Sequence, residues 1–554
     1  MKRYLASAVA VAAIAAVAAG VAVATAASVG TASGKWRFEP TINAPWAHEG
    51  ESWNLDSPLG AVGLCRRAPF SGVGAYAPTT NVDMIVGDAI NNSGSSNFGC
   101  STPQNETSVA VNPLNPLNVV AGANDYRVCC DSSGLNDGSG WAYASLDGGA
   151  TWVNRQLPGL TVQTGGQGVF KKMDSAGDPA LAFGPDGAVY YANIVFSRSS
   201  PASGIAVSVS RDGGLTWGPP NMVSFNDAGN FFNDKEWITV GPTGTVVVTW
   251  TRFNQGPHGA GYLASPIVMA VSRDGGKTWN RQGAPVSDPA HPYNQGSMPQ
   301  FGPDGALYVA YEGATPTSGY SQDATIVARS TNDGLTFTNV EVGRVYDDLD
   351  CYPQFGGRQT LTGEHFRLNS YPSFSIDQSN GKLAIVWADQ QGSGTCGSGG
   401  ASFSGTTSNQ VKLVSGGWGA LSAPLRITTA DSADKVFPAV AAGGGKIAVS
   451  YYTRAYSPST PLCTATTSAP AGGPLPVCLD YAAISSSDGF AAETRLTTQS
   501  SNPYVQFRDG AFIGDYSGIA MGSDGIAHPV WTDFRGRPGV TSANQDVYTQ
   551  AYLP

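Results

Sequence analysis

An eight-residue motif, Ser-x-Asp-x-Gly-x-Thr-Trp, recurs along the chain and constrains its fold more than any other feature. Matching copies begin at Ser145, Ser210 and Ser272, and a degenerate copy begins at Ser330 with Asn332 in the Asp position. The copies start 58 to 65 residues apart, which is the signature of a repeat architecture. In each copy the Asp can accept backbone N–H groups, the Gly permits a positive φ and the Trp is an apolar anchor. The motif, called the box motif below, therefore predicts a structural turn between two strands.

A second repeated pattern consists of an apolar strand, a turn rich in Gly, Pro and Asp, and a second strand ending near an aromatic residue. A third strand runs into the box motif or an eroded form of it, and a fourth strand follows in the first six units. Four antiparallel strands per unit predict an all-β protein, a β-propeller of four-stranded antiparallel blades, with seven blades favoured over six. The seven hairpins lie at 107–123, 179–191, 237–250, 299–311, 372–387, 438–451 and 518–531.

The seventh unit lacks its fourth strand, because the chain ends soon after the third strand at 546–552. The segment 82–87 precedes the first hairpin and could take the missing place, which would close the ring and remove an exposed edge. We also expect Trp152, Trp217 and Trp279 to be buried between blades, since each follows its box at a fixed offset.

The start of the chain has the pattern of an export signal. Lys2 and Arg3 precede an uncharged run rich in Ala and Val that ends in an A-x-A cleavage site, so 1–26 is predicted to be a signal peptide. The run is also long enough for an uncleaved membrane anchor. We interpret 27–80, which has no repeat, as an N-terminal extension on or beside the ring, and 81–554 as the propeller. The expected location is extracellular, with no membrane span after cleavage.

Eight cysteines in an exported chain suggest four disulfides. Cys463 and Cys478 flank one loop and are expected to pair, and Cys351 could pair with Cys396 across one repeat unit. The other four would then pair among themselves; they are Cys65, Cys100, Cys129 and Cys130. No C-x-x-C spacing is present, which argues against zinc.

The box motif resembles the Asp-box (BNR) repeats of the sialidase superfamily. The resemblance is carried by 145–152, 210–217 and 272–279, and in that family the box is a structural turn. It implies a secreted glycoside hydrolase that acts on anionic, sialic-acid-type glycans, holds the substrate carboxylate with three arginines and uses a tyrosine nucleophile. The chain departs from the family in having seven units rather than six blades and in lacking the Arg-Ile-Pro triplet.

Strand ends opposite the box motifs supply the candidate binding residues. A cluster of guanidinium groups there would suit a carboxylate, sulfate or phosphate. We expect Arg252, Arg454 and Arg535 to converge with Tyr516 on a solvent-filled central depression. The alternative is that each arginine pairs with a nearby acid. The ends of the second strands, in order, carry Arg127, Arg198, Arg252, Glu312, Asp389, Arg454 and Arg535, of which Arg127, Arg252, Arg454 and Arg535 are the predicted substrate-binding residues.

The starts of the first strands bring acids and phenols to the same rim. Tyr516 is the candidate nucleophile, Glu236 or Glu106 its base, and Asp178 the acid. The alternative for Tyr516 is a structural tyrosine with a satisfied hydroxyl.

Charge and composition narrow the remaining classes. A net charge of −10 with no Lys/Arg stripe argues against nucleic-acid binding. Asp347, Asp348 and Asp350 could hold Ca²⁺, but we interpret them as a solvated acidic loop, and no metal or cofactor is expected. We expect a monomer whose partner is a glycan or glycoconjugate. The second candidate function is a non-catalytic propeller that binds glycans or proteins at the cell surface.

Overall fold

The computed structural model describes most of the chain from residue 103 onward and two short segments before it. All statements below concern these residues. The described ranges are 73–74, 81–85, 103–127, 138–256, 261–320, 322–347, 352–355, 358–390, 408–429, 431, 433–464, 476–536 and 544–554.

The described residues form seven antiparallel sheets arranged as the blades of a propeller. The strands of each blade are called a to d from the axis outward. Strands β1 and β2 precede the blades, and β13 is an extra strand beside β12 in blade 3. In chain order these strands are β1 Val73–Gly74, β2 Val82–Asp83; blade 1, β3 Gln104–Asn112, β4 Asn115–Asp125, β5 Ser139–Ser145, β6 Trp152–Gln156; blade 2, β7 Ser175–Phe183, β8 Val189–Phe196, β9 Ser203–Ser210, β10 Asn221–Asn226; blade 3, β11 Phe231–Val240, β12 Val246–Gln255, β13 Tyr262–Ala264, β14 Ile267–Ser272, β15 Asn280–Pro285; and blade 4, β16 Asn294–Phe301, β17 Leu307–Ala314, β18 Asp323–Ser330, β19 Thr338–Val345.

Blades 5 to 7 follow a two-stranded hairpin, β20 and β21, which lies in the connection after blade 4. Among the described residues, the helical elements are a four-residue α-helix, α1 Phe507–Gly510, and short 3₁₀ turns. The remaining strands are β20 Gln354–Phe355, β21 Arg358–Gln359; blade 5, β22 Ser373–Ile376, β23 Leu383–Gln390, β24 Asn409–Gly417, β25 Ala420–Leu421, β26 Leu425–Arg426; blade 6, β27 Lys435–Gly443, β28 Lys446–Thr453, β29 Asp480–Ser485, β30 Thr494–Arg495; and blade 7, β31 Gly518–Met521, β32 Ala527–Asp533, β33 Asp546–Thr549.

The ring is closed by the segment that the sequence predicts. β2 pairs antiparallel with β33, with Val82 opposite Thr549, so it takes the d position of blade 7. Met84 extends the pairing by donating its N–H to the Val547 carbonyl at 2.9 Å. The seven-blade fold and the closing strand are thus confirmed over residues 82–85.

The hydrophobic core is divided among the interfaces between blades. Seven apolar clusters each combine side chains of two neighbouring blades, and together they cover every adjacent pair, including blades 7 and 1. Trp152 and Trp279 are buried in such clusters, as expected, whereas Trp217 is partly exposed and only packs against one. Burial of apolar area between blades, rather than within one blade, is what holds the ring together.

The box motif forms the same hydrogen-bonded turn in each copy. In the first, Asp147 Oδ1 accepts the Thr151 N–H at 2.8 Å, and Ser145 Oγ accepts the Gly149 N–H at 2.8 Å. Gly149 has a φ of +93°, which a residue with a side chain rarely adopts. The Trp152 indole N–H donates to the Gly149 carbonyl at 3.0 Å, which fixes the ring against the turn. The recurring Ser, Asp, Gly, Thr and Trp positions of the motif therefore have structural roles in the turn.

One disulfide, Cys463–Cys478, lies among the described residues, as predicted. The other six cysteines and the predicted signal peptide lie outside them. No described helix has the length and hydropathy needed to cross a membrane.

Candidate active site

Seven equivalent positions on the a strands form a ring around the propeller axis. In five blades a β-bulge interrupts the a–b ladder and leaves two residues unpaired, the first of which belongs to the ring. A bulge redirects a side chain, and four of these bulge residues have φ near +50° despite carrying side chains. The ring contains an acidic and basic half and an aromatic half; in blade order its members are Glu106, Asp178, Lys235, Gly296, Tyr371, Phe437 and Tyr516.

Gly296 separates the two halves. A Cβ at this position would lie 2.6 Å from Cγ of Tyr371, so the missing side chain leaves the space that the Tyr371 ring occupies. The positive φ of +68° at Gly296 matches the bulge conformation of its neighbours.

The buried ammonium of Lys235 is the centre of the charged half. Its Nζ lies 3.0 Å from Glu106 Oε1, 3.1 Å from Asp178 Oδ2 and 2.7 Å from Asp515 Oδ2. The ring of Tyr516 lies 5.4 Å from the same nitrogen. Burial of one cation is tolerated because three carboxyl groups surround it.

The surroundings push the pKa values of two of these carboxyls in opposite directions. Burial raises the pKa of Asp178 well above its ordinary value, with a further contribution from Glu106, and Lys235 only partly opposes this. Burial also acts to raise the pKa of Asp515, but Arg367 and Lys235 outweigh it and hold that pKa well below the ordinary value. The surroundings therefore favour the protonated form of Asp178 and the ionised form of Asp515, a contrast that acid–base pairs of enzymes also show.

Tyr516 lies in this ring, where the sequence placed it. Burial raises its pKa well above the ordinary value, and the charges of Glu106 and Asp178 add to the effect. Its hydroxyl donates a long hydrogen bond, 3.4 Å, to the Pro179 carbonyl, and its ring packs edge-on against Trp237 at 5.6 Å. A phenol with a raised pKa needs a base before it can attack, so its role as nucleophile stays a prediction.

Glu236 is the second bulge residue of blade 3, at a position where blades 1, 4 and 7 carry a small hydroxyl residue that bonds to the preceding blade. Thr107, for example, donates to the Val530 carbonyl at 2.9 Å, and Ser297 bonds to Thr249 at 2.9 Å. Glu236 is 1% exposed and neither carboxyl oxygen has a hydrogen-bond partner among the described residues. Burial raises its pKa well above the ordinary value, which favours the protonated form.

A segment before blade 5 that has no counterpart in the repeat, described at 352–355 and 358–370 and called the insertion, crosses the ring toward blade 7. Its Arg367 binds Asp515 through two nitrogens, at 2.7 and 2.9 Å, and its guanidinium lies 4.5 Å from the ring of Phe512. Leu361 and Phe366 of the insertion pack in the apolar cluster between blades 6 and 7. The insertion therefore covers the central residues on the face opposite the box motifs.

Two small cavities flank the ring beneath this insertion. One is bordered by Glu106, Asp178, Arg198 and Arg367 between blades 1 and 2, and the other reaches the Tyr516 side of the ring. Each has a volume of about 30 Å³, which is room for about one water molecule. Among the described residues, the space beside these charged groups is therefore too small to admit a sugar ring.

Two of the predicted arginines are bound by an aspartate two residues earlier. Arg127 Nη2 lies 2.6 Å from Asp125 Oδ2, and Arg535 Nη2 lies 2.7 Å from Asp533 Oδ2. Each Asp also accepts the backbone N–H of its arginine at 3.0 Å, so the turn itself fixes the pair. The expected convergence of Arg535 with Tyr516 is wrong. An ion pair within the same turn forms more readily than a contact across the ring.

The other two arginines also point elsewhere. Arg454 lies 3.0 Å from Glu364 and 3.4 Å from Asp434, and Arg252 bonds to Asn254 at 3.1 Å. Neither lines the cavities beside Tyr516, so the convergence is wrong for these residues as well. That these four arginines bind a substrate stays a prediction.

The larger central space lies at the other end of the axis. A cavity of about 440 Å³ is lined by the a strands of all seven blades between the ring and the a–b turns, with Val111, Phe183 and Ile519 among its walls. The a–b turns share a face with the box motifs, so among the described residues the depression opens on the box face and not opposite it. The expected location was wrong because the insertions that cover the other end carry no repeat signal.

The sequence pattern placed Glu106, Asp178, Glu236 and Tyr516 on one rim. In the structure Glu106 and Asp178 contact Lys235, the Tyr516 ring lies beside it, and the Glu236 carboxyl is near enough to affect the pKa of Tyr516 but does not bond to Lys235. The pattern missed Arg367, which lies in the insertion outside any repeat. The available signal for Arg367 was weak: a lone arginine in a polar connection before blade 5.

Asp347 follows β19 and is 3% exposed, so its interpretation as part of a solvated acidic loop is wrong. Asp348 and Asp350 lie outside the described residues.

No family model and no curated protein matches the chain. Solved structures with a similar fold include a protein of unknown function from Dyadobacter fermentans, with 14% identity, 68% of this chain and 94% of that chain covered, and a TM-score of 0.41. A Hadza microbial sialidase has 14% identity, coverage of 79% and 73%, and a TM-score of 0.39. An α-L-arabinofuranosidase of family GH93 from Fusarium graminearum has 12% identity, coverage of 67% and 92%, and a TM-score of 0.38. At these identities and TM-scores the blade count rests on the strand order of this chain itself.

Proposed function

We propose that the protein is a secreted glycoside hydrolase that acts on an anionic glycan of the sialic-acid type. The observation that carries the proposal is that two carboxyls in contact with Lys235 have opposite pKa shifts. The pKa of Asp178 is raised and that of Asp515 is lowered. Perturbed carboxyls gathered in one site are typical of acid–base catalysis. The Cys463–Cys478 disulfide is consistent with an oxidising, extracellular location.

The ring residues take distinct parts in the proposed reaction. Asp178 is the acid, because a raised pKa favours the protonated form of its carboxyl, which can then donate the proton to the leaving-group oxygen. Tyr516 is the nucleophile and Glu106, whose charge contributes most among the neighbours that raise the pKa of Tyr516, is its base. Arg198 and Arg367 border the cavity beside Asp178 and would bind the anionic group of the glycan.

The test is a hydrolysis assay with the purified chain 27–554 and fluorogenic glycosides, beginning with an α-sialoside and an α-L-arabinofuranoside. Asp178→Asn is the decisive variant, since Asn has the same size and tolerates the left-handed backbone at this position. We expect kcat/KM to fall at least about 100-fold, the scale of a lost general acid. Asp227→Asn, at an Asp that is 47% exposed, is the matched control and should retain full activity.

Two further results bear on the assignment. Activity of the wild type should fall as the pH rises through the raised pKa of Asp178, because the acid then loses its proton. Tyr516→Phe should abolish turnover if the phenol is the nucleophile. Full activity of Asp178→Asn would contradict the proposed acid.

A second candidate function is a non-catalytic propeller that binds glycans or proteins. It is favoured by the small volume of the two cavities that flank the ring, about 30 Å³ each. It is also favoured by the bonding of Lys235 and Arg367 to carboxylates within the chain. Glycan-array binding by a wild type that hydrolyses none of the glycosides would support this candidate over the enzyme.

A further inference from the structure

Asn124, near the end of strand b of blade 1, joins two residues of the ring. It is 6% exposed and borders the cavity between blades 1 and 2. Its amide oxygen Oδ1 accepts the backbone N–H of Asp178 at 2.8 Å, and its amide nitrogen Nδ2 donates to Glu106 Oε2 at 2.7 Å. One side-chain amide therefore connects the carboxyl of Glu106 in blade 1 to the backbone of Asp178 in blade 2.

The backbone donor of Asp178 fixes the direction in which this amide points. A backbone N–H can only donate, so the atom that faces it is the amide oxygen of Asn124. The amide nitrogen is thereby directed to Glu106, and it also lies 3.3 Å from Oδ1 of Asn105. Both polar atoms of the Asn124 side chain are therefore engaged.

The fold does not require an asparagine at this position. In five blades the equivalent residue is the one that pairs with the residue just before the ring member. In blades 1, 2, 3, 4 and 6 these residues are Asn124, Ile194, Thr251, Glu312 and Tyr452. Strand b forms equally well with an apolar or an aromatic side chain there, so the two bonds of Asn124 serve the site rather than the blade.

Asn124 acts on two residues whose backbone is strained. Glu106 and Asp178 have φ values of +55° and +52°, in the left-handed region that residues with side chains disfavour. The bond to the Asp178 N–H stabilises that conformation at the point from which the Asp178 carboxyl reaches Lys235. Gly177 permits the bond, because a Cβ there would lie 3.0 Å from Asn124 Oδ1.

The bond to Glu106 lies among several charges. Oε1 of Glu106 faces Lys235 Nζ at 3.0 Å and the Asp515 N–H at 3.1 Å, so Asn124 supplies the donor to the other oxygen. A neutral amide donates to a carboxylate without adding a charge of its own. The remaining charged groups around this junction are Asp178 of blade 2, Asp234 and Glu236 of blade 3, Arg198 after β8 and Arg367 of the insertion.

We infer that Asn124 is a positioning residue that holds Glu106 and Asp178 in place for the reaction proposed above. Its amide N–H orients the carboxyl of the base, and its amide oxygen fixes the backbone of the acid. The inference rests on the proposed function, in which Glu106 is the base and Asp178 the acid.

Asn124→Asp tests the inference, because it keeps the size of the side chain and replaces the donor by an acidic oxygen. While it holds a proton, the new carboxyl can donate to Glu106 as the amide does. Once ionised, it repels Glu106 Oε2, which lies 2.7 Å from the atom that is replaced. The folded variant therefore keeps this proton at pH values where the unfolded chain, whose Asp titrates near about 3.9, has lost it. Its stability relative to the wild type should fall as the pH rises above about 4.

Melting temperatures of the purified chain 27–554 between about pH 4 and pH 8 measure this effect without any substrate. The variant should melt close to the wild type at the low end of this range and progressively below it as the pH rises. Burial alone would also oppose ionisation of the new carboxyl, so the comparison is repeated in a Glu106→Gln background, where the pH-dependent gap should be smaller. A gap that Glu106→Gln leaves unchanged, or the absence of a gap, would overturn the inference.

Asn115→Asp is the matched control. Asn115 is an exposed residue of the same blade, and its Oδ1 accepts the Leu117 N–H, a bond that a carboxylate keeps. This variant should have the melting temperatures and the activity of the wild type throughout the pH range.

The hydrolysis assay separates this inference from the proposed function. Relative to the wild type at the same pH, kcat/KM of Asn124→Asp should be similar at about pH 4.5 and at least about tenfold lower at about pH 7.5, the factor that a one-unit pKa change produces. An active variant with the wild-type pH profile would overturn the positioning role. A wild type that hydrolyses none of the glycosides would reject the glycosidase, whereas a melting gap that Glu106→Gln reduces would still support Asn124 as the residue that positions these two carboxyls.

Discussion

Replacement of Arg454 by Met tests whether this arginine is structural, as its contacts indicate, or reserved for a ligand. The guanidinium lies 3.0 Å from Glu364 Oε1 and 3.4 Å from Asp434 Oδ2, and it donates to the Thr362 carbonyl at 2.9 Å. Met keeps most of the apolar stem and removes the charge. The change therefore isolates the ionic contacts.

The expected loss is large because Glu364 would remain buried without its counter-ion. Burial already raises the pKa of Glu364 to about 8 against the opposing effect of Arg454. Above about pH 8, where Glu364 is ionised, removal of its buried counter-ion costs about 3–5 kcal/mol of unfolding free energy, and the loss is smaller at lower pH, where Glu364 holds a proton. The double variant Arg454→Met/Glu364→Gln should recover part of this loss, since it no longer leaves a buried acid.

Urea unfolding followed by tryptophan fluorescence measures these differences. The control is Arg211→Met, because Arg211 is 59% exposed and pairs with Asp186 at the surface, where a pair contributes about 1 kcal/mol or less. An Arg454→Met variant as stable as the wild type would refute the structural role and return this residue to the list of candidate ligand-binding arginines.

Two further predictions concern stability. Trp152→Ala should lower the unfolding free energy by about 3–5 kcal/mol, because this ring is 1% exposed between blades. Trp217→Ala should cost less, because its ring is partly exposed. Equal urea midpoints for the two variants would contradict this difference in packing. Burial lowers the pKa of His528 to about 4, whereas the unfolded chain titrates near 6.5, so the unfolded state binds more protons between these values. Stability should therefore fall by about 3 kcal/mol as the pH drops from about 6.5 to about 4. His528→Gln should remove this part of the pH dependence of the melting temperature, and an unchanged pH profile would show that another group causes it.

The sequence by itself determined the features that depend on local patterns. The box motif contains its own hydrogen-bond donors and acceptors, so the turn at Asp147 could be recognised without any knowledge of the rest of the chain. The repeat spacing of the strands predicted the four-stranded blades. The incomplete last unit indicated that 82–87 closes the ring, and Val82 and Asp83 do pair with β33. The same period also placed Glu106, Asp178 and Tyr516 at one level of the axis, because equivalent positions in equivalent blades must form a ring.

The tertiary structure alone decided which charged groups meet. Lys235 contacts Asp515 across 280 positions of sequence, and Arg367 reaches the same carboxylate from an insertion that has no repeat. Arg535 instead bonds to the aspartate two residues before it. A long side chain at a strand end can reach several partners, and its choice depends on distances, burial and competing charges that no local pattern records. These distances and charges are fixed only when the seven blades have closed into a ring.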